Sequence, residues 1–176
     1  MRRPLLVSLL GLCLAGPGSA LQQSTNPWAT IPRPPHAVSA PYDQQAERQL
    51  LNLANQARTE AGLPPLASEE GLMRAARKHS ALMASENQLS HDLPGEPSLP
   101  ERLAATSSQR FGAEGENVGF AASAAEVHQG FMHSPHHREN LLNPDYNLAG
   151  FAVVRNGNRV YVTEDFAQSL PKHPAQ

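Results

Sequence analysis

The sequence predicts an α+β domain in which helices pack against an antiparallel sheet. Three observations carry this. Two segments in the first half repeat apolar residues at three- and four-residue steps. The last third changes to β-rich runs around an Asn-Gly-Asn turn. Helices therefore precede strands instead of alternating with them, the order of an α+β fold and not of a parallel α/β sheet.

The first helix is expected in "QQAERQLLNLANQARTEAGLPPL", from about Gln45. Ala46, Leu50, Leu53, Ala54 and Ala57 share a face, Gly62 is the stop, and Pro64–Pro65 forbid continuation. Ser68 is the expected cap of a second helix, "SEEGLMRAARKHSALMASEN", with Glu69 and Glu70 favourable in its first turn. Leu72, Ala75, Ala76, His79, Leu82 and Met83 form its apolar face, which makes His79 a packed structural histidine.

"QLSHDLPGEPSLPERL" reads as a loop leading into a short helix, with Pro100 early in it and Leu103 on its buried side. "FGAEGENVGF", with glycines at 112, 115 and 119, reads as a backbone-controlled turn. A further helix runs from Ser123, its cap, to about Met132. Pro135 breaks it and a new turn begins near Arg138. "NLAGFAVVRNGNRVYVTEDFAQ" is a hairpin. In "HRENLLNP", Leu141 and Leu142 are expected to anchor the turn in the core. Asn140 and Asn143 would bond local backbone, and Arg138 would brace a carboxylate or carbonyls.

Ahead of the domain, residues 1–20 have two arginines, an apolar run from Leu5 to Ala15 and a small-residue exit, the order of a secretory signal peptide. That run is too short for a membrane core needing about 20 residues, so no stable membrane insertion is expected. Residues 21–44 hold five prolines and read as an extended tether, with Trp28 packing back onto the domain. The domain itself is placed at 45–170, followed by a tail over 171–176.

The chain's single cysteine, Cys13, would leave with the signal. This excludes disulfides, a thiol nucleophile and a Cys-based zinc site from an exported product. The formal net charge is −2 before Arg2 and Arg3 are lost, and no basic stripe exists to neutralise phosphates. A nucleic-acid partner is excluded on that ground. The expected product is a monomer, in the periplasm or the medium.

Three features are candidates for chemistry: His91 in "LSHD", Glu116 between Gly115 and Gly119, and the histidines of "HSPHHRENLLNP". Each also has a bland reading: a histidine on the last helix carbonyls, an exposed turn carboxylate, a solvated His-rich turn. His136 and His137 should point in different directions, and His133 is satisfied at the helix end. Two imidazoles and a carboxylate on loops suit a divalent metal. No "HExxH" or "GxSxG" is present, so such a site depends on the fold bringing distant loops together.

The order "LNLANQARTEAGLPPL", "AARKHSALMA", "LSHD", "GENV", "SPHHRENLLNPDYNLAGFAVV" and "YVTEDFAQ" resembles the CAP superfamily of cysteine-rich secretory, antigen 5 and pathogenesis-related 1 proteins. The likeness covers roughly residues 46–168 and is nearest to short bacterial secreted SCP-domain members. It implies an α-β-α sandwich with a small antiparallel sheet between helices. It also implies an open cleft that in some members binds zinc or another divalent ion. By motif, the family histidines fall on His91 and His137 and the family glutamate on Glu116. The metal ligands implied are His91 and His137, with zinc the implied cofactor.

The pattern departs from the family at Ser134, where many eukaryotic members carry a further glutamate. Glu126 and Glu139 are near but not aligned with it. Phe131 stands where a tryptophan is common. Three functions stay open. The leading one is non-enzymatic binding of a small-molecule, lipid, sterol-like or protein ligand in the cleft. The second is a zinc-dependent peptidase or esterase with Glu116 as general base, and the third an extracellular interaction module.

Overall fold

A computed structural model describes residues 42–170. The expected signal peptide, Trp28, most of the tether and the 171–176 tail lie outside these residues. Helix α1 spans Gln44–Glu60. Asp43 caps it by accepting from the Ala46 N–H at 3.0 Å. The domain thus begins slightly inside the segment read as tether: Asp43 N–H donates to the Val153 carbonyl, and Tyr42 bridges Val154. Gly62, at φ 74, ends the helix as expected.

A two-residue strand, β1 (Ala67–Ser68), precedes helix α2 (Glu70–Glu86). Ser68 is therefore not the cap. Glu69 is, its carboxylate accepting from Leu72 N–H at 2.6 Å. Ser68 is used instead in the sheet, opposite Ala149. Helix α3 spans Leu99–Thr106 behind Ser98, whose N–H and hydroxyl both donate to Glu101.

The segment expected to be a turn is an eleven-residue strand, β2 (Phe111–Ala121). Its glycines hide the alternation that marks a strand. They are there for close packing: a Cβ on Gly115 would lie 2.5 Å from the Tyr146 hydroxyl, and one on Gly119 2.8 Å from the Phe131 ring. Helix α4 spans Ala124–His133 and is capped by Ser123. Helix α5 starts at Pro135 itself, in the first-turn position that needs no N–H donor, and runs to Leu141. Strands β3 (Leu148–Asn156) and β4 (Arg159–Ser169) form the expected hairpin, with Gly157 at φ 58 in its turn.

The sheet order is β1-β3-β4-β2, antiparallel except for the β1–β3 pair. One face packs Leu50 and Ala54 of α1, Val127 and Phe131 of α4 and Leu141 of α5 against Phe151, Val153, Val162 and Phe166. The other face receives α2 and α3 through Met83, Leu72, Ala75 and Leu103 against Val118, Tyr161 and Ala167. The architecture is the α-β-α sandwich expected, with a mixed four-stranded sheet between the helical layers. No helix among the described residues is long and apolar enough to cross a membrane.

Candidate functional site

Strand β2 places Glu116 on the α2–α3 face, and the loop after α2 carries His91 over it. His91 Nδ1 and Glu116 Oε1 are 2.8 Å apart. The His91 side chain is 54% exposed, whereas that of Glu116 is 3% exposed. A hydrogen bond to this carboxylate raises the His91 pKa above the ordinary histidine value, outweighing the opposing cost of burial. The bond occupies Nδ1 and leaves Nε2 as the ring's other donor atom.

Glu116 is held from behind. Arg102 of α3, 6% exposed, donates through Nη2 to Glu116 Oε2. Its Nη1 donates to the His91 backbone carbonyl at 3.2 Å and lies 3.1 Å from Glu96. One guanidinium thus fixes both the main chain of His91 and the carboxylate that orients its ring. Beneath it, His79 sits fully buried, Nδ1 2.7 Å from Glu96 Oε2 and Nε2 2.9 Å from the Ser90 carbonyl. His79 is buried as expected, and it is polar-bonded to the base of the His91 loop.

Asp165 lies opposite Glu116 in the β2–β4 register. It is fully buried, and neither oxygen has a hydrogen-bond partner among the described residues. Burial, then the Glu116 charge, pushes its pKa well above the usual carboxylate range. Glu164, its neighbour on the opposite face, is pushed up to about 8 by burial.

His137 comes from α5 on the other side of β2. Its ring packs on Phe131 with centroids 4.7 Å apart. Burial lowers its pKa, and the charges of His91 and His136 lower it further. The turn around His137 is tied to β2: Asn117 Nδ2 donates to the His137 carbonyl at 3.1 Å. Asn140 Nδ2 donates to the Glu116 carbonyl at 3.1 Å and to Asn117 Oδ1 at 2.9 Å.

The other two histidines of the motif are flankers. His136 has a 94% exposed side chain, and His133 Nδ1 bonds the Gln129 carbonyl at 2.7 Å. Asn143 bonds local backbone as expected, accepting from Asp145 N–H, but Asn140 reaches across to β2. The arginine that braces the turn is Arg58 of α1. It is fully buried and donates to the carbonyls of Pro64, Leu141, Asn143 and Tyr146 at 2.8–3.0 Å. Leu141 is the buried anchor, and Leu142 is partly exposed.

Sequence reading did not find Arg102, Glu96, Asp165 or Arg58 as parts of this framework. The one signal was His79, a titratable ring on an apolar helix face. As metal donors, His91 and His137 are two imidazoles, one with the carboxylate backing common to metal-bound histidines. Among the described residues no group of three or more His, Cys, Asp or Glu is arranged to hold a metal ion. Two imidazoles fall short of the four ligands of a structural zinc and of the three of a catalytic one.

Comparison with known proteins bears on the family and the fold. The uncharacterized protein YkwD of Bacillus subtilis (strain 168) is 31% identical over 132 residues, 74% of this chain. The chain spans 51% of YkwD, about half its length. An extracellular protein containing a SCP domain from Bacillus anthracis str. Ames has a solved structure that matches with a TM-score of 0.64 and 29% identity. That match covers 71% of this chain and 41% of that one. An outer surface protein from Borrelia burgdorferi shares the fold, with a TM-score of 0.68 at 17% identity over 74% of this chain and 99% of its own. Residues 51–166 match the cysteine-rich secretory protein family as a whole. With the sandwich and the ordered motifs, that match makes the chain a member of the CAP, or cysteine-rich secretory protein, family of the bacterial SCP-domain type.

Proposed function

We propose that this chain is an exported binding protein whose cleft, formed by His91, Glu116 and His137, takes a ligand together with a divalent ion such as zinc. The observation that supports the reading is the Arg102–Glu116–His91 series, with the His137 turn tied to the next residue of the same strand through Asn117. A ring oriented by a carboxylate and a second ring from that turn would supply two nitrogen donors. With no third protein ligand gathered among the described residues, the ion's remaining positions are left to solvent or to the bound ligand. Export is supported by the order of residues 1–20 and by the likeness to an extracellular SCP-domain protein at 29% identity.

Binding is favoured over hydrolysis by the state of Glu116. A general base needs a lone pair aimed at the attacking water. Here one oxygen meets His91 and the other Arg102, at 8% residue exposure. The carboxylate orients its neighbour and is not placed to take a proton from water. The runner-up, a zinc-dependent peptidase or esterase, keeps support only from the pairing of two imidazoles with a carboxylate.

Titration calorimetry with zinc chloride on residues 21–176 tests the reading. One zinc per chain is expected, lost in both His91→Ala and His137→Ala with unchanged circular dichroism. Zinc uptake that survives both substitutions refutes it. Chelator-sensitive turnover of peptides or esters, abolished by His137→Ala, would transfer the site to the hydrolase.

A further inference from the structure

Asp165 lies directly opposite Glu116 where β4 pairs with β2. Opposed residues of an antiparallel pair send their side chains to the same face, with Cβ atoms about 4.5–5.5 Å apart. Asp165 is fully buried, and Glu116 is buried too. Two carboxyl groups therefore share one closed space beneath His91. On the other side of Asp165 its partner in β3 is Gly150, which brings no side chain. Helix α2 seals that side, so close that a Cβ on Gly150 would lie 2.1 Å from the Met73 backbone nitrogen.

The hydrogen-bond donors around this pair are unevenly divided. Glu116 is met by two, Arg102 Nη2 from α3 and His91 Nδ1 from the loop after α2. No N–H or O–H of a described residue reaches either oxygen of Asp165. The charges that bear on Asp165 are those of Glu116, Arg102 and Glu96. Arg102 is already shared between the two glutamates. His79 of α2 is taken up by Glu96 and the Ser90 carbonyl. A buried carboxylate without a donor carries a large desolvation cost. Two carboxylates in one site cannot both ionise without strong repulsion. One proton between them removes both difficulties, because a protonated carboxyl donates where an ionised one only accepts. Glu116, with two donors, keeps the charge, and Asp165, with none, takes the proton. Burial and the Glu116 charge raise the Asp165 pKa, in the same direction.

We infer that Asp165 is a positioning residue of the cleft: it is a neutral acid that donates its O–H to the Glu116 carboxylate, which in turn orients His91. This rests on the reading of the His91–Glu116–His137 cleft as the binding site, and the proton itself needs no metal. Glu116 is then held from three sides, by Arg102, His91 and Asp165. The pair presents one negative charge to the imidazole instead of two. Glu164, next to Asp165 in the chain, lies on the opposite face of the sheet and takes no part.

Infrared spectra of residues 21–176 at pH 7, taken with and without carboxyl-labelled aspartate, test this in the unsubstituted protein. The other aspartates, Asp43, Asp92 and Asp145, reach solvent. A protonated-carboxyl band that shifts with the label is expected, and Asp165→Asn should abolish it. Glu164 is untouched by the label. A missing band, or one that persists in Asp165→Asn, overturns the inference. Positioning is read from the NMR titration of the His91 ring in chelator. Asp165→Asn replaces the O–H with an amide N–H and removes no charge, so the His91 midpoint is expected to stay in place. Asp165→Val offers no donor and leaves Glu116 the stronger base, so the midpoint is expected to shift upward. A midpoint that moves in Asp165→Asn overturns the inference, a fall being the mark of an ionised Asp165. So does an unchanged midpoint in Asp165→Val, since Asp165 then does not act through Glu116. The band needs no variant and decides the matter if either one fails to fold. Zinc titration run in parallel separates the two readings. A missing band with zinc uptake intact removes only the Asp165 inference, and zinc failure with the band present removes only the metal.

Discussion

His91 and Glu116, twenty-five residues apart in the chain, meet through a 2.8 Å contact between Nδ1 and Oε1. The fold uses a β-strand carboxylate to set the orientation of a loop imidazole. Glu116→Gln keeps the shape and removes the charge, so the ring loses its ionic partner. Zinc affinity, read by calorimetry, should fall about 10–100-fold, and thermal stability should fall as well, because buried Arg102 loses one of its two carboxylates.

The same contact makes stability depend on pH. The folded-state pKa of His91 is raised by the carboxylate. Its contribution is fully present below the unfolded value near 6.5 and is lost as pH rises through the folded value. Urea denaturation in chelator should therefore show a larger deficit for His91→Ala at pH 5.5 than at pH 9.

Glu164 acts in the opposite sense. Its folded pKa of about 8 stands above the usual carboxylate value of 4.5. Between those values the folded state retains a proton that the unfolded chain releases, so stability falls as pH rises from about 4.5 to 8. Glu164→Gln mimics the neutral acid. It should stabilise the fold by on the order of 3 kcal/mol at pH 7 and leave it unchanged at pH 4, measured by urea unfolding at both.

Arg102→Met leaves Glu96 and Glu116 buried without their cation. A cost of about 3–5 kcal/mol is expected. In the folded fraction, exchange protection around His91 should be lost, because its carbonyl also loses a donor.

Leu141→Ala should cost about 2–5 kcal/mol, since the side chain is fully buried. Leu142→Ala should cost roughly half that or less, because Leu142 is partly exposed. Thermal melts of the two variants decide between them.

Most of the helices and the hairpin were legible because their signals are local: periodic apolar faces, Gly62, Pro64–Pro65, Ser123 and the Asn-Gly-Asn turn. Strand β2 was not, because glycines demanded by Tyr146 and Phe131 erase its alternation, and those contacts come from α4 and the segment after α5. Ser68 was misread for a similar reason, since its role depends on pairing with β3. His91, Glu116 and His137 are candidates by motif order and not by spacing, and the fold joins the first two directly. The framework behind them was illegible because Arg102, Glu96 and Asp165 acquire meaning only when three separate elements converge. Arg58 is the sharpest case: in sequence it is an ordinary charge near a helix end, and in the fold it gathers four carbonyls from 64 to 146.

Asn117 grips the α5 turn at the His137 carbonyl, and Asn140 grips the strand in return. Strand and turn are thereby riveted to each other at two points, so a substitution that loosens either asparagine should be felt on both sides of the seam.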